Sequence, residues 1–126
     1  MLRKKLMVAI TGLFVVLMFA GSVYAEGSWT SFIGDAREGF YSRWWNDKNL
    51  DHVSTYVQFT NCTADVEVIL WRGGWWHTNL GMRPFSCVGT TVGHNWGIQP
   101  ANDYRFEIDK IIGASTVSVQ TVYVEY

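Results

Sequence analysis

The stretch VSTYVQFTNCTADVEVILW, residues 53–71, contains two segments in which apolar and polar side chains alternate. One face of the first segment carries Val53, Thr55, Val57 and Phe59. One face of the second segment carries Val66, Val68 and Leu70. Because neighbouring residues of a strand point to opposite faces, each segment is predicted to be a half-buried β-strand. Residues 61–65, NCTAD, supply the turn that joins them.

The same alternation continues towards the carboxyl end, and no segment keeps a helical period for three turns. In YRFEI, residues 104–108, apolar side chains alternate with charged ones. In TVSVQTVYVEY, residues 116–126, the apolar face changes parity between Val119 and Val122. That change predicts a β-bulge near Gln120 and Thr121, or burial on both faces. Short strands with frequent turns predict an antiparallel β-sandwich, with a small β-barrel as the alternative.

Residues 1–25 have the organisation of a signal peptide. Three basic residues precede an apolar run over residues 6–20, and Val23 and Ala25 lie where a signal peptidase reads small side chains. An uncleaved anchor is the alternative, but the run is shorter than the roughly 20 residues that span a bilayer. The prediction is cleavage after Ala25 and a single secreted, extracellular domain over residues 26–126, with no further membrane span.

The charge balance of residues 26–126 argues against nucleic-acid binding. The leader contains three of the ten basic residues and none of the eleven acidic ones, so seven basic residues remain and the net charge is −4. Proteins that bind nucleic acids normally carry a basic patch, and none is visible in this sequence. We therefore predict no nucleic-acid partner.

Two cysteines, Cys62 and Cys87, lie in the part of the chain predicted to be exported. An even cysteine count in a small secreted domain favours a disulfide, and closing that loop would stabilise the fold by about 3 to 4 kcal/mol. Two buried thiols or a metal-binding pair are the alternatives. Asn61-Cys-Thr63 also fits the N-glycosylation pattern, which matters only in a host with that machinery.

Catalytic patterns are absent from the sequence. The chain has no HExxH, GxSxG, CxxC or phosphate-binding loop, and its three histidines, His52, His77 and His94, lie on separate predicted segments. Asp65 and Glu67 stand two apart on one strand, whereas a glycosidase needs its carboxyl groups on opposite sides of a cleft. We predict no catalytic residue, no cofactor and no enzymatic activity.

The loop WNDKNLDHV, residues 45–53, is the best candidate for a divalent cation. Asp47, Asn49 and Asp51 offer closely spaced oxygen atoms, the ligands that calcium favours. The loop lacks the glycine and the terminal glutamate of an EF-hand. Asn and Asp also cluster in turns because their side chains bond their own backbone. Turn formation is the preferred interpretation, so no metal site is predicted.

Tryptophans supply the candidate binding residues. In WRGGWWH, residues 71–77, Gly73 and Gly74 predict a two-residue hairpin turn that places Trp71 opposite Trp76. Parity then directs this pair outwards and Trp75 towards the core. Exposed ring faces bury apolar sugar or lipid surface, although core packing is the alternative for the set as a whole. Trp44 and Trp45 form a second adjacent pair earlier in the chain. The predicted binding residues are therefore Trp71, Trp76, Trp44 and Trp45.

Three short segments resemble a known family. EGSW (26–29), YS (41–42) and HVSTYV (52–57) resemble the opening of the secreted bacteriocins of the lactococcin class. Those proteins are leader-cleaved β-sandwiches implicated in blocking septum formation through the cell-wall precursor lipid II. The resemblance implies a bacterial envelope context and assigns no functional residue. This chain departs from the pattern because it is longer, carries two cysteines and is acidic rather than basic.

Three functional hypotheses follow. The leading one is a secreted, non-enzymatic binding protein that acts at the cell surface or envelope, with an envelope glycan or glycan precursor as its partner and bacteriocin-like inhibition as its toxin form. The second is an extracellular structural or self-associating matrix protein, whose strand edges and aromatic side chains pair with other copies. The third is a small secreted hydrolase or hydrolase inhibitor.

Overall fold

The computed structural model describes residues 26–126, which form nine β-strands. The predicted signal peptide, residues 1–25, lies outside the described residues. The strands are β1 (Ser28–Ala36), β2 (Phe40–Tyr41), β3 (Trp45–Asp47), β4 (Ser54–Cys62), β5 (Asp65–Arg72), β6 (Thr78–Phe85), β7 (Thr91–Ile98), β8 (Asn102–Ile112) and β9 (Val117–Glu125).

The strands form two antiparallel sheets, which confirms the predicted β-sandwich. The first sheet has the order β1-β9-β4-β7, and the second has the order β2-β8-β5-β6 with β3 also paired to β8. Residues 26–126 contain no helix, and hence none long and apolar enough to cross a membrane.

The core lies between the two sheets and is built by the faces that the alternation predicted. Phe59 of β4 contacts Phe85 of β6 with ring centroids 4.7 Å apart and Phe106 of β8 at 5.3 Å. All three rings are buried, so aromatic packing is one of the contacts that join the two sheets. The other predicted inward residues of β4, β5 and β8 are also buried: Thr55, Val57, Val66, Val68, Leu70, Tyr104 and Ile108.

The predicted change of parity in β9 is confirmed. Val119 and Val122 are both buried, and the pairing of β9 with β1 shifts register between Ser31 and Ile33. The neighbouring strand β4 changes face at the same level, where Asn61 adopts a φ of 52°. The Asn61 side-chain amide donates a 2.6 Å hydrogen bond to Gln120, so the two irregular positions support each other.

The predicted disulfide between Cys62 and Cys87 is confirmed, with the two Cα atoms 5.1 Å apart. Cys62 ends β4 in the first sheet, and Cys87 follows β6 of the second sheet. Both side chains are buried. The disulfide therefore ties one sheet to the other at one end of the sandwich.

The predicted two-residue hairpin turn at Gly73-Gly74 is wrong. Strand β5 ends at Arg72 and β6 begins at Thr78, so the connection is the five-residue loop 73–77, and Trp71 pairs with Asn79 instead of Trp76. The backbone amide of Gly73 donates a 2.7 Å hydrogen bond to the carbonyl of Asp103 on β8. This bond keeps the chain along β8 for one residue beyond β5 and prevents the immediate reversal.

Candidate functional site

Exposed and half-buried aromatic side chains, together with one arginine, gather on the outer face and at one end of the second sheet. We call this group the aromatic surface, which comprises Tyr41, Trp44, Trp71, Trp75, Trp76, His77 and Arg105. Strand parity explains part of the group: Trp71 on β5 and Arg105 on β8 are cross-strand partners, and such partners share a face. The remaining members come from short strands and loops beside β8.

Arg105 lies between two aromatic rings of this surface. Its guanidinium carbon is 3.8 Å from the ring centroid of Tyr41 and 4.3 Å from that of Trp44. Each cation–π contact of this kind is worth about 0.5 to 2 kcal/mol, depending on how far water is excluded. The double contact holds Trp44 in one orientation while leaving 38% of that side chain exposed.

A second set of contacts positions Trp44 against the loop 73–77. The rings of Trp44 and His77 meet edge to face with centroids 5.5 Å apart. Gly73 lies beneath Trp44, and a Cβ atom at that position would lie 3.2 Å from Trp44 Cζ3 and 3.3 Å from the carbonyl oxygen of Asp103. A side chain at position 73 would therefore press on both the ring and β8, which would have to shift by a few tenths of an ångström to admit it.

An open pocket of about 450 Å³ lies beside Trp44. Its wall combines the rings of Trp44 and His77 with polar groups of Asn46 and Asp103. The Asn46 amide donates a 2.9 Å hydrogen bond to the Asp103 carboxylate, which fixes both side chains at the pocket edge. Aromatic faces next to an ordered amide and carboxylate match a sugar, which has apolar C–H faces and hydroxyl groups in one molecule.

The two tryptophans at the tip of the loop are almost fully exposed, Trp75 at 93% and Trp76 at 80%. The prediction that Trp75 closes the core is therefore wrong. The five-residue loop removes residues 75 and 76 from the strand pairing, so strand parity no longer determines where their side chains point. Exposed large apolar side chains that adjoin a pocket are typical of a binding surface.

The other predicted binding residues have different environments. Trp44 is exposed, whereas Trp71 is half-buried and donates a 2.9 Å hydrogen bond from its indole nitrogen to Glu107. Trp45 is only 3% exposed and packs against Trp29 and Tyr126, although the residue also borders the pocket beside Trp44. Its pairing with Tyr104 on β8 turns the Trp45 ring towards the core.

Several members of the site were not predicted from the sequence. Arg105 had a detectable signal, because it alternates with the buried Tyr104 and Phe106 and must therefore face outwards. Asn46 and Asp103 gave no signal, since their proximity depends on the pairing of β3 with β8. Tyr41 also reaches the site through a tertiary contact with Arg105.

The histidines and cysteines form no shared metal centre within residues 26–126, where no three His, Cys, Asp or Glu side chains are grouped to hold an ion. His77 belongs to the aromatic surface, whereas His94 lies against Phe85 and bonds the carbonyl of Pro84 at 2.7 Å.

The Asn- and Asp-rich loop after β3 forms the predicted turns. Asp47 accepts a 2.7 Å hydrogen bond from the Asn49 amide, and Asp51 accepts one of 3.1 Å from the Val53 amide. Burial raises the pKa of the Asp47 carboxyl above its usual value, and the nearby carboxylates of Glu26 and Asp51 add to the shift, while the bond from Asn49 opposes it.

No protein-family model matches this chain, and no curated protein matches it significantly.

Proposed function

We propose that this protein is a secreted, non-enzymatic binding protein whose aromatic surface binds a glycan of the cell envelope or a lipid-linked glycan precursor. The observation that carries the proposal is the pocket beside Trp44, where an exposed ring and the bonded pair Asn46 and Asp103 adjoin two exposed tryptophans. Stacking on the rings would bury the apolar sugar face, and the polar pair would bond its hydroxyl groups.

One further feature supports a location outside the cytoplasm: the chain carries a disulfide, which persists mainly in oxidising compartments. The exposed Trp75 and Trp76 of the loop 73–77 support a binding role. Bacteriocin-like inhibition is the toxin form of the same proposal, because a protein that binds a cell-wall precursor withholds it from wall synthesis.

Binding can be tested by titrating the purified protein with peptidoglycan fragments, other envelope glycans and lipid-linked precursors while following tryptophan fluorescence and heat. We expect a fluorescence change with at least one of these ligands. Trp76→Ala should weaken that binding by up to about tenfold, since one aromatic contact contributes about 0.5 to 1.5 kcal/mol. The stability of this variant should stay within about 0.5 kcal/mol of the parent, because the side chain is exposed.

Phe32→Ala provides the matched control, because Phe32 is an exposed aromatic residue on β1 of the first sheet that does not line the pocket beside Trp44. Equal affinities for the Trp76 and Phe32 variants would reject the proposed surface. A flat response of the parent protein to every glycan and precursor would reject the proposed ligand class. Assembly that grows with concentration in light scattering, and that Trp76→Ala abolishes, would instead favour the self-associating matrix protein.

A further inference from the structure

The loop after β3 carries three buried oxygen atoms that have no hydrogen-bond partner. They are Asp47 Oδ2, Asn49 Oδ1 and Asp51 Oδ2. The Asp47 side chain as a whole is only 1% exposed, so water does not satisfy it from outside. Buried polar atoms in folded proteins are nearly always bonded, and a cluster of unbonded acceptors requires an explanation.

The turns use only one of the two oxygens of each carboxylate. Asp47 uses Oδ1 for the bond from the Asn49 amide, and Asp51 uses Oδ1 for the bond from the Val53 amide. The second oxygen of each carboxylate is left over. The residues alternate along the chain, at positions 47, 49 and 51, and their leftover oxygens are all acceptors. A cation reached by all three oxygens would satisfy them, whereas a further backbone turn would not.

The charge around the loop also favours a cation. The Glu26 carboxylate lies beside the same loop, where it accepts hydrogen bonds from the backbone amides of Lys48 and Leu50. Glu26, Asp47 and Asp51 therefore bring three carboxyl groups to one short loop, and a divalent ion would offset their negative charge.

We propose that residues 47–51 bind a calcium ion through Asp47 Oδ2, Asn49 Oδ1 and Asp51 Oδ2. Calcium takes six to eight oxygen ligands in a flexible geometry and accepts amide oxygens, and water completes its shell where the protein does not. Two carboxylates and one amide are a small ligand set. The affinity should therefore be in the range of about 10⁻⁴ to 10⁻³ M, which is typical of extracellular calcium modules.

The ion would stabilise the part of the molecule that borders the pocket. Asp47 ends β3 and pairs with Asn102, and the preceding residue Asn46 pairs with Asp103. Calcium at Asp47 would thus hold the end of β3 against β8. Calcium binding at this loop does not depend on the proposed glycan binding, and either property can be present without the other.

The test uses the purified protein after treatment with EDTA, titrated with calcium chloride and, in parallel, with magnesium chloride. Calcium should raise the melting temperature, magnesium should raise it less, and calorimetry should show a single calcium site. Terbium provides a direct probe, because Trp45 lies two residues from Asp47 and can transfer excitation to a bound lanthanide. Calcium should displace the terbium luminescence.

Asp51→Asn is the informative variant, since its side chain keeps an oxygen for the turn bond while losing the charge. It should weaken calcium binding by about tenfold or more, because affinity follows the charge of the ligands. It should also melt at a higher temperature than the parent in EDTA, because one repelling carboxylate is removed. Asp109→Asn, at an exposed position on β8, is the matched control and should bind calcium like the parent.

Two outcomes would overturn the calcium site. The first is a parent protein whose melting temperature and terbium luminescence do not respond to calcium up to about 10 mM, far above the expected dissociation constant. The second is an equal loss of affinity in the Asp51 and Asp109 variants, which would indicate non-specific attraction to an acidic protein.

Discussion

Trp44 and Trp45 are neighbours in the chain, yet their side chains have opposite roles. Trp44 lies outside the strand pairing, stacks on Arg105 and keeps 38% of its surface exposed. Trp45 is the first residue of β3, and its ring packs 5.8 Å from Trp29 and 6.1 Å from Tyr126. A ring buried between other rings stabilises the fold and is unavailable to a ligand, so only Trp44 of this pair belongs to the aromatic surface.

Tyr104 is predicted to make the stability of the protein fall at high pH. Burial raises the pKa of the Tyr104 hydroxyl from 10.0 to about 12, with the charge of Arg72 opposing the shift, and the hydroxyl donates to the carbonyl of Pro100. The folded state therefore favours the neutral phenol. This contribution is complete below pH 10, where both states are neutral, and is lost as the pH rises to 12.

Urea unfolding at a series of pH values would measure this effect. The free energy of unfolding should fall by on the order of 2 kcal/mol between those two pH values because of Tyr104 alone. Tyr104→Phe keeps the ring in the core and removes the ionisation, so its stability should decline less over the same range. Parallel pH profiles for the parent and the variant would contradict the assignment.

At the scale of the elements, strands β4 and β9 change face at the same level. Each strand alone would have to turn an apolar side chain to solvent at that point. Because the two are paired, Phe59 lies opposite Val122 and Cys62 lies opposite Val119, and all four side chains remain buried. The irregularity also places Cys62 where it can bond Cys87.

Removing the disulfide is predicted to cost about 3.5 kcal/mol, the chain-entropy value for a loop of the observed 25-residue separation. The double variant Cys62→Ala/Cys87→Ala leaves no unpaired thiol and allows the comparison by urea unfolding at neutral pH. Both side chains are buried, so the lost packing should add a small further cost. A decrease in the free energy of unfolding of less than about 1 kcal/mol would mean that the disulfide restricts the unfolded chain less than the chain-entropy model requires.

For the whole molecule, the sheet order determines which strands are protected on both sides. Strands β9 and β4 lie inside the first sheet, and β8 and β5 lie inside the second. The outer strands β1, β7 and β6 each have one neighbour in their sheet. An unpaired strand edge exchanges its backbone hydrogen bonds with water more readily than an interior strand does.

Native-state hydrogen exchange should therefore separate the strands into two groups. The slowest amides should lie in the centres of β4, β5, β8 and β9, where exchange requires global unfolding. Amides on the free edge of β7 should exchange faster by several orders of magnitude, since they lack a strand partner on that side. Protection of that edge equal to the protection of β5 would instead indicate that a second copy of the chain covers it.

The sequence predicted more of the fold than of the candidate site. Alternation in β4, β5 and β8 predicted which side chains fill the core, because the parity of a strand is a local property that burial on one face enforces. The parity change in β9 was visible for the same reason. Of the candidate site, Trp44 and Trp76 are exposed, as expected of binding residues, whereas Trp45 is buried.

The sequence alone determined the all-β class, the two cysteines that pair and the faces of the long strands, since each follows from residue type and spacing. Only the tertiary structure decided the loop 73–77, where a hydrogen bond from Gly73 to β8 overrides the turn preference of two adjacent glycines. That bond, formed between residues thirty positions apart, leaves Trp75 exposed and brings His77 to Trp44. The aromatic surface therefore depends on strand β8 as much as on the tryptophans themselves, because long-range pairing sets where a loop begins and ends.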